Sequence, residues 1–171
     1  MGISIGCLNT STWGWVCQRY NRPLSDYVPF YFTPFSPMLY NIKTGHNGIR
    51  KCANDEIVII VSSLRALQKK QVPFLFTDRH ALLRAAQFYS DLENLDQIDW
   101  PILQNRDFKR DPDDMEKVER YQAEALVFRQ VPIDALLGIV CYKETVASNL
   151  EARIDERGLD LRVVTKRNWY F

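Results

Sequence analysis

Two histidines, four scattered cysteines and no apolar run of membrane length leave this sequence without the marks of several common functional classes. Cys7, Cys17, Cys52 and Cys141 form no close ligand pairs, and His46 and His80 are too few to complete a structural zinc site. Thiols this sparse suit reduced cysteines and a cytoplasmic setting. The stretch 57–61 is only strand length, against about 20 apolar residues for a membrane span. Met1-Gly2-Ile3-Ser4-Ile5-Gly6 has neither the basic flank nor the apolar core of a secretion signal, and Gly6 stands where an acylation motif wants Ser or Thr. Gly45-His46-Asn47-Gly48 lacks the lysine and the strand-to-helix setting of a nucleotide phosphate loop. There is no nucleophile elbow, no triad spacing around either histidine, and no internal repeat. Charge of one sign is lacking too: 22 Lys and Arg face 21 Asp and Glu, so the net +1 neither announces nor excludes a nucleic-acid partner.

What is present is apolar and aromatic. Hydrophobic residues at 46% and aromatics at 12% of 171 residues suffice for one folded domain, and the chain is short for two. The reading is a single domain over 1–171, in which 1–23 is an atypical lead-in. There Asn9-Thr10-Ser11-Thr12 reads as a turn or cap, and Trp13-Gly14-Trp15 as local packing or ligand-facing aromatics. The run 27–32 is densely aromatic but interrupted by Pro29, which predicts an edge strand or an irregular cleft wall. Ser36-Pro37 predicts a helix start, a cap followed by proline at the first helical position. Residues 45–48 read as a flexible loop. Further on, 56–61, 73–76, 121–128, 138–141 and 161–164 read as strands. Residues 62–67, 132–137 and 144–157 read as helices, the last closed by Gly158. Asp78 is placed to cap a helix carrying Ala81, Ala85 and Phe88 on one face. Residues 105–120 are charged and proline-broken, a loop with at most one helical piece. The class is α+β, with strands too irregularly spaced for a doubly wound sheet.

The residue that most needs an explanation is Glu124, a carboxylate inside a strand that otherwise enters the core. An unpartnered buried carboxylate is costly, so such a strand should end at a surface or a cleft, where the group can manage positive charge on a reacting atom. Three segments are candidates to converge there: the aromatic wall 27–40 with Ser36 and Met38, the strand-to-helix junction Phe76-Thr77-Asp78-Arg79-His80, and 120–124. Aromatic surfaces suit flat groups such as nicotinamide or a base. The same aromatics also read as core, Asp78 as a simple cap, and His80 as a polar first-turn residue. In 105–120, Arg106, Lys109, Arg110, Lys117 and Arg120 alternate with acids, which reads either as a solvated mixed loop or as a grip on a polynucleotide beside the chemistry.

Taken together, LSDYVPFYFTPFSPMLYNI at 24–42, FLFTDRHA at 74–81, LDQIDWPILQNRDFKR at 95–110 and YQAEALV at 121–127 resemble DarT, the DNA ADP-ribosyltransferase toxins of DarT–DarG toxin–antitoxin systems. The resemblance implies an ADP-ribosyltransferase-like fold with a split, strongly curved mixed β core and flanking helices. It implies cleavage of the nicotinamide–ribose bond of NAD, as co-substrate and without a metal, and transfer of ADP-ribose to thymidine in single-stranded DNA. It also implies a macrodomain antitoxin of the DarG type as partner. By the same resemblance Glu124 is the catalytic carboxylate, and Phe32, Ser36, Met38 and Tyr40 belong to the wall that holds nicotinamide and its ribose. His80, Arg106, Arg110 and Arg120 fall where DNA is expected.

The likeness departs at the amino end. The family carries an opening strand with a histidine that helps hold NAD, then a helix and an arginine segment, whereas here the chain opens at Ile3-Ser4-Ile5-Gly6. The expectation is of a shortened member lacking its first strand, with Arg19 (or Arg22) standing in for the arginine. Such a chain would have half the NAD pocket unbuilt, an open sheet edge, and weak or no activity. The alternative function is then a non-catalytic remnant that binds DNA or the antitoxin.

Overall fold

Apolar runs bounded by turn residues become short strands in the computed structural model, which describes residues 22–171 (the Asn47 side chain excepted) and the backbone of Ile3–Ser4 and Val16–Cys17. In chain order the strands are β1 (Ile3–Ser4), β2 (Val16–Cys17), β3 (Arg22–Pro23), β4 (Tyr27–Tyr31), β5 (Ile59–Ser62), β6 (Phe74–Thr77), β7 (Phe88–Tyr89), β8 (Glu124–Phe128), β9 (Leu136–Cys141) and β10 (Val163–Thr165). The helices are α1 (Pro37–Thr44), α2 (Leu64–Lys69), α3 (Trp100–Gln104), α4 (Lys117–Arg120) and α5 (Glu144–Glu156). β2 and β3 form a separate antiparallel pair. The other strands make one sheet in the order β10-β9-β5-β1-β4-β8-β6-β7. Its pairs are antiparallel except β9 with β10, which α5 connects in the crossover that parallel strands require.

The predicted α+β class and mixed sheet are what this topology shows. The expected open edge at the amino end is not what the sheet shows there, since a short strand of Ile3–Ser4 enters it. β1 lies between β4 and β5, pairing Ser4 with Tyr31 and Val61, and Ile3 with Ser62. Backbone donors and acceptors inside a sheet need partners, and two residues of β1 supply them where β4 ends. The same short pairing explains Pro29. β4 is internal rather than an edge, yet β1 reaches it only at Tyr31, so the missing N–H of Pro29 interrupts no described ladder on that flank.

Local signals set most boundaries. Ser36 Oγ accepts the Leu39 N–H at 3.2 Å and Pro37 opens α1, while Gly45 closes it in the left-handed region at φ 75°. Residues 45–48 are therefore a helix cap running into a 3-10 turn, His46–Gly48, rather than an unstructured loop. Two predicted helices do not form. Residues 132–137 give only the 3-10 turn Ile133–Ala135, because Leu136 already begins β9. Residues 78–87 are turns, closed by i→i+3 bonds from the Leu83 N–H to the His80 carbonyl and from the Ala86 N–H to that of Leu83. Phe88 pairs with Thr77 as β7, so the chain must reverse within the loop, and a helix of that length would carry it away from the sheet.

Period-two alternation sorts β4 and β8 onto two faces. Phe30, Phe32, Ala125 and Val127 join Leu64, Leu67, Phe76 and Tyr121 in the main core. Tyr27 and Leu126 pack on the other face with Leu75 and Ala81. Glu124 falls on this second face.

Candidate active site

Three strands end together at the site. Glu124 is the first residue of β8; it pairs with Tyr31, the last of β4, and lies beside Thr77, the last of β6. The Thr77 hydroxyl donates to the Glu124 carbonyl and accepts the Glu124 N–H, both at 3.2 Å, which fixes the backbone from which the carboxylate projects. Glu124 is only 5% exposed. Its Oε1 accepts the Ala81 N–H at 2.8 Å and lies 2.8 Å from His80 Nδ1. An ionised carboxylate only accepts, so Nδ1 carries the shared hydrogen and Nε2 is left for another partner. Both hydrogen bonds fall on Oε1, and among the described residues Oε2 accepts none. Burial first, and the neighbouring Glu124 charge second, push the Tyr31 phenol above its ordinary range.

The loop after β6 holds these donors in place. Asp78 accepts the Gln87 N–H at 2.9 Å and Arg79 Nε at 3.2 Å, so it clamps a turn rather than capping a helix. Arg79 also reaches Glu116 at 3.0 Å, and the His80 N–H donates to the Glu119 carbonyl. His80 is thus bracketed between α4 and Glu124, its ring one-third exposed.

The charged loop resolves into two kinds of cation. Arg120 gives Nε to Asp99 at 3.0 Å and both terminal nitrogens to Asp114 at 3.0 and 2.6 Å. The Asp114 bond is the main reason its guanidinium is held even more firmly protonated than usual, and the same bond lowers the Asp114 pKa. Lys117 is likewise divided between Asp107 and Asp111. Arg106 and Arg110, by contrast, have no ion pair among the described residues. Arg106 lies with its guanidinium 3.5 Å over the Phe35 ring. The structure therefore separates Arg106 and Arg110, available to a phosphate, from Arg120, which is already neutralised by two acids.

Of the expected cofactor wall, Phe32 is core, its ring edge-on to Phe76 and Trp100, and it also lines an open cleft of about 240 Å³. Ser36 is buried with its hydroxyl engaged as the α1 cap. Tyr40 packs on Phe108 and Phe171, and Met38 is half-buried in α1. Glu124, His80, Ser36, Met38 and Tyr40 are not among the residues lining that cleft. Arg19 and Trp13-Gly14-Trp15 lie outside the described residues. Sequence reasoning passed over Tyr31, the individual role of Thr77 and the Ala81 N–H. Only Tyr31 left a signal, an aromatic within the run 27–32 on the same phase as Tyr27; a backbone donor leaves none. Among the described residues no group of His, Cys, Asp and Glu is placed to hold a metal ion. Among the same residues no helix is long and apolar enough to cross a membrane.

Known proteins are similar to this chain in sequence and fold. Residues 15–171 match the family described as ssDNA thymidine ADP-ribosyltransferase, DarT. A DNA ADP-ribosyl transferase of Escherichia coli O127:H6 is 57% identical over 148 residues, covering 86% of this chain and 68% of the relative. The fold superposes on Thermus sp. 2.9 DarT in complex with carba-NAD+ at a TM-score of 0.82 and 34% identity, over 94% of this chain and 81% of the other. It superposes on the same protein in complex with ADP-ribosylated ssDNA at 0.79 and 36% identity, over 87% and 70%.

Proposed function

Because this chain belongs to the DarT family of single-stranded DNA thymidine ADP-ribosyltransferases, we propose that it transfers ADP-ribose from NAD to thymidine in single-stranded DNA, with Glu124 as the catalytic carboxylate. The observation that carries this reading is the state of that carboxylate. Oε1 is fixed by the Ala81 N–H and His80, while Oε2 has no hydrogen-bond partner among the described residues. A carboxylate so held needs no reorganisation when positive charge develops beside it.

The chemistry then follows. The bond between nicotinamide and the ribose C1 lengthens and breaks, nicotinamide leaves with the bonding electrons, and the sugar gains oxocarbenium character. Glu124 stabilises that charge electrostatically and through a ribose hydroxyl. The base nitrogen of thymine still carries a proton and attacks poorly, so Glu124 accepts that proton as the new C–N bond forms. A single-stranded substrate presents its base without the unpairing cost of a duplex, a few kcal/mol.

Phe32, Met38 and Tyr40 are proposed to flank nicotinamide and its ribose, with Ser36 fixing the start of α1 among them. Arg19 would add the positive charge near the pyrophosphate or leaving group. His80 positions Glu124 and faces the incoming base. Arg106 and Arg110 take phosphates, and Arg120 shapes the loop that carries them. The Thermus protein bound to carba-NAD+ and to ADP-ribosylated ssDNA supports NAD as co-substrate and DNA as acceptor. Family membership supports a toxin held in check by a macrodomain antitoxin of the DarG type, and a DNA target supports a cytoplasmic setting.

The test is incubation with NAD and thymidine-rich single-stranded DNA, comparing the wild type with Glu124→Ala. Modified DNA from the wild type alone is expected. No product from the wild type, with salt-sensitive DNA binding retained, would replace this reading with the non-catalytic binding remnant.

A further inference from the structure

We propose that the cleft between residues 32–35, the end of α3 and the 3-10 turn Arg167–Trp169 seats a second base of the same DNA strand, next to the one presented to Glu124. The proposal rests on the transferase reading above and adds to it the site of neighbour recognition.

Size comes first. At about 240 Å³ the cleft is smaller than the roughly 300–1,000 Å³ of sites that enclose a whole drug-sized molecule, so it suits one flat ring rather than a dinucleotide. Its lining is the chemistry of a base. Trp169 offers a ring, the Arg106 guanidinium covers the Phe35 ring as a second flat surface, and Gln104 and Asn168 each offer an amide donor and an acceptor to a base edge. Arg106 is the one charged group among the described lining residues. It stacks 3.5 Å over Phe35, makes no hydrogen bond or ion pair through its guanidinium among the described residues, and holds a left-handed φ of 55° that a side chain of its size rarely adopts. A strained, exposed arginine with no carboxylate partner is what a base face and a phosphate both recognise.

The surroundings agree. Lys109 and Arg110, which follow Arg106 along the chain, and Lys166 and Arg167, which precede Asn168, are exposed and make no ion pair among the described residues. Lys166 lies 5.0 Å over the Trp169 ring. The cleft is also at the correct end of the sheet. Tyr31 pairs with Glu124, and the next residue, Phe32, already lines the cleft while its side chain joins the opposite face. A strand of DNA rounding the end of β4 therefore meets Glu124 on one face and this cleft on the other.

The experiment uses the full chain in two settings. In the inactive Glu124→Gln background, the affinity of a labelled single-stranded oligonucleotide and that of NAD are measured for Arg106→Ala, Asn168→Ala and Trp169→Leu. In the active enzyme, modification is scored on oligonucleotides whose bases beside one thymidine are varied. We expect Trp169→Leu and Arg106→Ala to weaken DNA binding by roughly tenfold, the loss of one base stack, with NAD affinity held. Asn168→Ala, at an exposed position where misfolding is no concern, is expected to flatten the preference for the neighbouring base. DNA affinity and neighbour preference unchanged in all three variants would overturn the cleft while leaving the transferase reading intact. Loss of NAD affinity in place of DNA affinity would overturn it too, by assigning the cleft to the dinucleotide. A wild type that binds DNA through Asn168 and Trp169 yet modifies none would instead sink the transferase reading and keep the cleft.

Discussion

Glu124 and Asp114 are both carboxylates close to the same loop, and their surroundings are opposite. Asp114 is exposed enough to be solvated and is gripped by two guanidinium nitrogens of Arg120. Glu124 is nearly sealed, has one imidazole and one backbone N–H on a single oxygen, and leaves the other without a hydrogen bond among the described residues. The lesson is one of availability. An acid matched by arginine is spent on structure, and so is its partner; an acid held through one oxygen leaves the other for a ligand.

The largest expected effect strikes the unmatched acid. Glu124→Gln keeps an acceptor for the Ala81 N–H and should fold normally while losing on the order of 10³ or more in the transfer rate, read as NAD-dependent modification of DNA. If the rate falls by less than about tenfold, the contrast with Asp114 has no functional meaning. Next comes the donor that orients it: His80→Ala should lower the rate roughly 10–100-fold through one lost charge-assisted hydrogen bond, with little change in thermal unfolding. Tyr121→Phe tests the structural side. It removes the hydroxyl that donates to the Phe35 carbonyl at 3.0 Å and should cost about 1–3 kcal/mol in urea unfolding. Ser36→Ala should cost about 1 kcal/mol by the same measurement, through the lost α1 cap.

The smallest effect belongs to Asp114→Asn and depends on pH. Arg120 lowers the Asp114 pKa in the folded chain, so between the two values the unfolded state binds more protons and stability rises with pH. The pair therefore contributes above the ordinary aspartate range, near pH ~4, and fades as pH falls through the lowered folded value. Melting curves of wild type and Asp114→Asn should differ slightly at neutral pH and converge in acid. A gap that widens in acid would contradict the pairing.

Much of this was legible along the chain. Glu124 stood out because a charge inside an apolar strand has few physical excuses, and Ser36-Pro37 marked α1 because cap and proline act within one turn. The loop 78–87 was misread as a helix, since Asp78 followed by spaced apolar residues looks the same whether it caps a helix or ties a turn to Gln87. Pro29 pointed to an edge and lies inside the sheet, because what proline forbids depends on how far the neighbouring strand extends. Nothing local distinguished Arg120 from Arg106 and Arg110, as each sits among acids in sequence.

Short-range rules, alternation, capping and the cost of an unpaired charge, were enough to mark Glu124 as the acid worth watching and to set the class of the fold. Which oxygen of Glu124 takes the hydrogen bonds, which arginines remain unmatched, and that Asn168 and Trp169 meet Arg106 across a cleft were settled only by packing. Those are contacts between residues far apart along the chain, and hydrogen bonds and ion pairs of that range are chosen by the sheet that brings them together.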